Sequence, residues 1–309
     1  MKKLMSIASA LLCGTVLAAL DTSATSLTSG VVGYQQVVIP AQQFTMIGVM
    51  YADMTNGAIS VQELFADPLG QGLTGAAGSA NADQLMYWDP GEVNSYVSLY
   101  LNSNTGTTSV MLNRKNKWCT VSNPNDKTWG NGTNTPSTKK LTSGMGLWLK
   151  RVNYSSPITL TMSGSAVVAE GGRNITINEG FNMISGGFSA PFIPNPDVAD
   201  PENGVAIDWL GKGCRGAAGS ANADQLMFWD PGEINSYVSL YLNSNTGTTS
   251  VMLNRKNRWC TVSNPNDKTW GNGTNVPTPK VIPAGCGVWY KRLTGAGQFT
   301  LNLDQPYSL

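Results

Sequence analysis

The sequence predicts an all-β protein made of two tandem, homologous small β-sandwich or β-barrel domains. Three observations predict this fold: a long internal duplication, an apolar pattern of period two, and a composition that suits strands and turns. Gly, Asn, Ser and Thr are abundant, and the chain has 9 Trp and 10 Tyr residues. Long helices are not expected from these features.

The duplication relates residues 75–135 to residues 216–276. These segments are identical at 57 of 61 positions at an offset of 141 residues. A weaker match continues from residues 144–151 to residues 285–292. Each unit is therefore about 130 to 140 residues long, which is a normal length for one domain.

The first 20 residues have the layout of a cleaved secretory signal peptide. Lys2 and Lys3 form a basic start, and an apolar stretch follows over residues 4–20. Polar residues interrupt this stretch, so we expect no transmembrane segment. We predict a secreted protein with a signal peptide at 1–20, a first β-rich domain at 21–168 and a second at 169–309.

The centre of each unit is predicted to begin with a hairpin. Residues 95–101 place Val97, Leu99 and Leu101 on one face of a strand, and they follow a strand-like segment at 84–88. Asp89-Pro90-Gly91 supplies a turn between the two segments. Another strand is expected at 117–121, before a polar loop that starts at Asn123.

The ends of the unit are predicted from weaker patterns. Residues 146–152 and 158–162 are expected to close the unit as a second hairpin, and strands are expected near Val37 and Met46. Residues 59–66 are predicted to form a short helix. Each unit then has roughly six to eight short strands, the count typical of a sandwich or small barrel.

Charge and composition exclude several functions. The formal net charge of +1 becomes −1 when Lys2 and Lys3 are removed, and only 13% of residues are charged. We therefore expect no nucleic-acid partner. The absence of His removes the Ser-His-Asp triad and the usual zinc sites. Asp89 and Glu92 flank a Pro-Gly turn, which favours a turn role over catalysis, and we predict no enzyme and no catalytic residues.

The cysteines change between the units in a correlated way. Leu73 and Met145 are replaced in the second unit by Cys214 and Cys286. Two apolar positions that become cysteine together predict a Cys214–Cys286 disulfide, and two independent buried thiols are the alternative. Cys119 and Cys260 are equivalent to each other and are expected to be buried thiols, with a bridge between subunits as the other possibility.

A polar loop in each unit is the candidate ligand site. Each loop combines a tryptophan with Asn and Asp oxygens, which suits stacking against a sugar ring, although an Asx-rich surface turn explains the same residues. Calcium is a further candidate for these oxygens, but the spaced acidic ligands of known calcium loops are absent. The candidate residues are Asn125, Asp126 and Trp129 in the first unit, and Asn266, Asp267 and Trp270 in the second.

The stretch VVGYQQVVIPAQQFTMIGV at 31–49, followed by ADQLMYWD, a Lys-Trp strand and GMGLWLKR, resembles uncharacterised secreted repeat proteins of Verrucomicrobia and Lentisphaerae. The resemblance covers nearly the whole chain after the predicted signal peptide. It implies a secreted β-rich repeat protein, and it brings no catalytic residues to transfer.

We expect a secreted structural or surface-assembly subunit that associates with copies of itself. Two alike domains in tandem would meet through a heterologous contact, and repetition of that contact between molecules would give an open filament. The stretch 21–39 is a second route, since it could add to an exposed edge strand of a neighbour. The alternative function is a carbohydrate-binding protein with one glycan site per repeat.

Overall fold

The computed structural model describes most of the chain after residue 31. Val32–Leu309 forms one compact unit, so the division into two domains near residue 168 stays a prediction. The predicted signal peptide lies outside the described residues. These residues are 32–55, 57–77, 79–88, 96–103, 113–120, 135–218, 220–230, 237–244, 255–262 and 275–307.

The described chain consists mostly of short strands, which confirms the predicted all-β class. The strands of the first repeat are β1 (Val32–Ile39), β2 (Phe44–Gly48), β3 (Tyr51–Ala52), β4 (Ile59–Ser60), β5 (Gln84–Trp88), β6 (Tyr96–Asn102), β7 (Lys117–Thr120), β8 (Thr135–Pro136), β9 (Lys140–Leu141), β10 (Gly146–Lys150) and β11 (Ile158–Ala166). Those of the second repeat are β12 (Arg173–Ile177), β13 (Gly180–Ile184), β14 (Gln225–Trp229), β15 (Tyr237–Asn243), β16 (Arg258–Val262), β17 (Asn275–Pro277), β18 (Val288–Arg292) and β19 (Phe299–Leu303). One-turn helices lie at Val61–Leu64 and Pro196–Ala199, and 3-10 turns lie at Ser79–Asn81 and Ser220–Asn222.

The two repeats build sheets with the same strand order. One six-stranded sheet has the order β2-β10-β5-β6-β7-β8, and the other has the equivalent order β13-β18-β14-β15-β16-β17. Beside these sheets, β1 pairs with β11 and β12 pairs with β19, both antiparallel. The register is equivalent as well, because Ile39 lies opposite Ile158 and Ile177 lies opposite Phe299.

Two hydrophobic clusters follow the two repeats. Leu85 of β5 and Leu160 of β11 belong to the first cluster, so the six-stranded sheet and the β1–β11 pair enclose a common interior. Leu226 and Leu301 occupy the same places in the second cluster. Each apolar interior is thus lined by strands of a six-stranded sheet and by strands of a separate antiparallel pair.

Several predicted elements are confirmed. β5 and β6 form the predicted hairpin, with Leu85 opposite Leu99. The predicted short helix is the turn at Val61–Leu64, which begins with a capping box between Ser60 and Glu63. This reciprocal pair satisfies backbone donors at the helix start, so a turn this short can form.

The predicted second hairpin, between residues 146–152 and 158–162, is wrong. Trp148 of β10 lies opposite Met46 of β2 on one side and Met86 of β5 on the other. Both edges of β10 are therefore occupied, and β11 pairs with β1 and β3 in the other layer.

The contact between the repeats is reciprocal. Ile47, at the end of β2, forms a bridge with Cys286, which precedes β18. Ile184, the counterpart of Ile47, forms a bridge with Met145, the counterpart of Cys286. Each repeat therefore contacts the other through two equivalent segments, the end of β2 or β13 and the residues before β10 or β18.

Hydrogen bonds repeat this symmetry. The Gly48 N–H donates to the Gly285 carbonyl at 2.8 Å, and the equivalent Ser185 N–H donates to the Gly144 carbonyl at 2.8 Å. The expected heterologous contact is wrong, because a reciprocal contact is isologous and closes on itself. The second expected route to assembly was addition of residues 21–39 to an edge strand of a neighbouring molecule. In the structure, residues 32–39 of this stretch pair with β11 of their own chain.

Candidate binding grooves between the repeats

The predicted loop sites lie outside the described residues. This holds for the calcium site suggested for these loops and for all six candidate residues. They are Asn125, Asp126, Trp129, Asn266, Asp267 and Trp270.

The contact between the repeats leaves a groove on one side, which we call the first groove. It has a volume of about 560 Å³ and lies between β1 of the first repeat and the segment before β18 of the second. Its lining is Gln35, Gln36, Val37, Val38, Pro40, Thr45, Met46, Phe228, Trp229, Asp230, Val281, Pro283, Ala284, Cys286 and Gly287.

A second groove lies between β12 of the second repeat and the segment before β10 of the first. Its volume is about 580 Å³. Its lining is Trp88, Thr142, Ser143, Gly144, Met145, Gly146, Arg173, Asn174, Ile175, Thr176, Asn178, Asn182, Met183, Ile184 and Gln298.

The two grooves are equivalent by the symmetry of the repeats. The strand register aligns residues 35–38 of β1 with residues 173–176 of β12, and these two segments form corresponding walls. Trp229 in the first groove is the counterpart of Trp88 in the second. The reciprocal contact therefore builds one similar groove for each repeat.

A partly exposed tryptophan lines each groove. Trp88 is 41% exposed and Trp229 is 38% exposed. Both stand at the end of a strand, next to a buried aromatic residue, Tyr87 or Phe228, that points into the interior. Successive strand side chains point to opposite faces, so each tryptophan is directed away from the core.

We predicted Trp129 and Trp270 as the tryptophans that contact a ligand, and Trp88 and Trp229 were not among the predicted site residues. Trp118 and Trp259, by contrast with Trp88 and Trp229, are fully buried in the interior. The signal that distinguishes Trp88 is its place beside the predicted turn at 89–91, on the face of β5 opposite to Leu85 and Tyr87.

The first groove holds an internally paired charge. Lys280 Nζ lies 2.6 Å from Asp230 Oδ2, so this carboxylate is neutralised by its neighbour. This pair is only partly buried, so solvent still screens it and it adds little free energy to folding.

Two other aspartates have structural surroundings. Asp224 is fully buried and accepts hydrogen bonds from Tyr290 Oη at 2.6 Å and from Arg292 Nη1 at 2.7 Å. Its counterpart Asp83 accepts from the N–H groups of Thr74 and Val152, and burial raises the pKa of this carboxyl. Asp224 therefore links the start of β14 to β18, and Asp83 links the start of β5 to the segments around Thr74 and Val152. Both carboxylates have a role in folding.

The predicted Cys214–Cys286 disulfide is not formed, because both residues are free cysteines. The Cys214 thiol lies beside the Tyr290 hydroxyl, inside the second cluster. Cys286 lies at the contact with the first repeat, where its backbone forms a β-bridge with Ile47. Replacement of two apolar residues by cysteine in one cluster therefore does not bring the sulfurs together. Cys119 and Cys260 are buried and free, as the main expectation held.

None of the helices in the described part of the chain has the length and apolar character needed to cross a bilayer. Among the same residues, no group of three or more His, Cys, Asp or Glu side chains is placed to hold a metal ion. No protein-family model matches the chain, and neither curated proteins nor solved structures yielded a match.

Proposed function

We propose that this protein is a secreted, non-catalytic carbohydrate-binding protein with one glycan site per repeat. The observation that carries the proposal is the pair of equivalent grooves, each lined by a partly exposed tryptophan. In this account the chain consists of two homologous sandwich domains, and their reciprocal contact creates both sites.

The chemistry of the groove walls suits a sugar. A tryptophan offers a broad apolar face for the C–H face of a sugar ring, and nearby polar side chains can bond its hydroxyl groups. In the first groove Gln36 and Thr45 supply such groups beside Trp229. In the second groove Asn174 and Thr176 supply them beside Trp88.

Two similar sites in one rigid chain favour long ligands with repeated units. When one groove has bound a polysaccharide, the other meets the same chain at a high effective concentration. Modest affinity at each site can then give stable attachment to a polymer, whereas a short oligosaccharide gains no such advantage.

The substitutions Trp88→Ala and Trp229→Ala test this proposal. A glycan array first identifies a bound sugar, and titration calorimetry with a short oligosaccharide of that sugar then counts the sites. Each substitution is expected to lower the number of occupied sites from two to one, and the double variant is expected to abolish binding. Loss of a stacking tryptophan costs about 2 kcal/mol or more at such a site.

Tyr154→Ala is the matched control, because Tyr154 is an exposed aromatic residue that lines neither groove. Its binding should equal that of the wild type. Silence of the wild type on neutral and acidic glycan arrays, or full binding by the double variant, would refute the proposal.

A second candidate is a structural subunit that self-associates through β1. Val32, Tyr34 and Val38 of this strand are large apolar residues that are 66%, 75% and 66% exposed. In the described sheet, β1 pairs with β11 on one side and its other edge has no partner strand. An exposed apolar edge strand is a template for pairing, here with β1 of a second copy.

Electron microscopy and light scattering over a range of protein concentrations test this candidate. Wild-type protein should form dimers, because pairing of β1 with β1 closes on itself. Tyr34→Lys should remain monomeric because a charged side chain protects an edge. Val205→Lys is the control at another exposed apolar position. Monomers at every concentration would exclude assembly through β1.

A further inference from the structure

The two grooves are equivalent in place but differ in chemistry. Four lining positions are apolar in the first groove and polar in the second. Val38 corresponds to Thr176, Pro40 to Asn178, Pro283 to Thr142 and Ala284 to Ser143, while Gln35 corresponds to Arg173.

Arg173 is the most distinctive of these changes. It is half-buried in the wall of the second groove, where its Nε donates to the Ser143 carbonyl at 3.4 Å. Among the described residues no carboxylate forms an ion pair with Arg173, and burial lowers the pKa of its guanidinium. The guanidinium nevertheless stays charged in a protein.

A partly desolvated cation without a counterion favours the binding of an anion. The remaining N–H groups of a guanidinium can bond two oxygens of a carboxylate or sulfate side by side. Among the described residues that line the first groove there is no cation, and Gln35 stands in place of Arg173.

Ser143 supports the same assignment from a second position. Its side chain is buried in the groove wall, and its hydroxyl has no hydrogen-bond partner in the described part of the chain. A buried polar group without a partner is costly, and an oxyanion held by Arg173 would provide an acceptor nearby. In the first groove the counterpart of Ser143 is Ala284, which has no hydroxyl group that requires a hydrogen-bond partner.

We infer that the second groove binds an anionic sugar residue, one that carries a carboxylate or a sulfate ester, whereas the first groove binds a neutral sugar. This inference rests on the proposed sugar-binding function. The protein would then recognise an acidic polysaccharide, or one whose charged and neutral residues alternate.

The test uses two matched pairs of probes, which separate the two sources of negative charge. Tetragalacturonic acid is compared with its methyl ester, and sulfated neocarratetraose with neutral neoagarotetraose. In calorimetry with the mature chain, one site should prefer the acidic member of at least one pair by about tenfold or more. This preference should weaken as NaCl is added, because salt screens the charge.

Three variants locate the preference. Arg173→Gln should remove it, Arg173→Lys should retain part of it, and Trp88→Ala should abolish the acidic site while Trp229→Ala leaves it intact. Gln35→Arg should give the first groove a preference for the acidic probe. Thermal unfolding of each variant confirms that the fold is kept.

Different results would overturn the anionic assignment of the second groove and the proposed sugar-binding function. Neutral and acidic probes that bind the wild type equally, or a preference that survives Arg173→Gln, would overturn the anionic assignment and leave sugar binding in place. Failure of all four probes, together with silence on glycan arrays, would overturn sugar binding itself.

Discussion

Trp148 and Trp289 occupy the same position in the two repeats and contact each other edge to face, with ring centroids 6.2 Å apart and planes inclined at 62°. Each also contacts the phenylalanine of its own repeat, Phe44 or Phe181. A row of four aromatic rings thus crosses the contact, and its symmetry axis lies between the two indoles. This relationship explains why the two grooves on either side are alike.

Removal of either central tryptophan should destabilise the protein to a similar degree. Trp148→Ala and Trp289→Ala are each expected to cost about 2 kcal/mol, since both side chains are partly buried in the same kind of contact. The double variant should cost less than the sum, with a coupling of about 0.5–1.5 kcal/mol for the aromatic pair. Denaturant unfolding of the four proteins measures this coupling, and strict additivity would mean that the rings do not interact.

The buried aspartates should differ in their importance for folding. Asp224→Asn is expected to cost about 3 kcal/mol or more, because it leaves Arg292 buried beside a neutral amide. Asp83→Asn should cost less, since Arg151 donates to the carbonyls of Pro40 and Ser156 instead. Guanidinium unfolding provides the comparison, and equal losses would contradict this reading of the two networks.

The stability contributed by Asp83 should fall as pH rises. Burial raises the pKa of this carboxyl, so the folded protein binds its proton more tightly than the unfolded chain does. The free energy of unfolding therefore decreases from the ordinary aspartate pKa upward, until the pH exceeds the raised value. Urea unfolding of wild type and Asp83→Asn across this range should show the difference between them shrinking with pH. A difference that grows with pH would show that the carboxylate form is favoured.

The thiols should be free but slow to react. Burial raises the pKa of Cys119 to about 11 and the pKa values of Cys214 and Cys260 to about 12, so little thiolate is present at pH 8. Iodoacetamide should label them slowly in the native protein. In denaturant without reductant, mass spectrometry should find four labelled cysteines in the mature chain. A mass two hydrogens lower, with Cys214 and Cys286 unlabelled, would show that these two residues form a disulfide.

Local sequence patterns were sufficient for the elements whose partners lie close by. The β5–β6 hairpin was predicted from the turn signal at 89–91 between the strand patterns at 84–88 and 95–101, because strands that follow each other across a turn readily pair. The predicted hairpin of β10 and β11 failed for the opposite reason. Its pattern shows an apolar face but cannot show that β2 and β5 already occupy both edges of β10.

The residues that line each candidate groove lie far apart in the sequence, so local patterns could not predict the grooves. The second groove joins Trp88 to Arg173 and Ser143, which belong to different repeats. Without the register of β12 against β19, nothing in the sequence aligns Arg173 with Gln35. The reciprocal contact itself was hidden, because each of its bridges joins one repeat to the other and the strand pattern within a repeat does not show which segment it will meet.

Cross-linking tests the reciprocal contact most directly. Ile47 and Cys286 are a non-hydrogen-bonded antiparallel pair, in which Cα atoms lie about 4.5 Å apart, so Ile47→Cys should form a disulfide with the native Cys286. The double variant Met145→Cys/Ile184→Cys should form the symmetric bond within the same molecule. Peptide mapping of monomeric protein should recover both cross-links. Recovery of only one, or of cross-links between molecules alone, would contradict a closed contact between the two repeats.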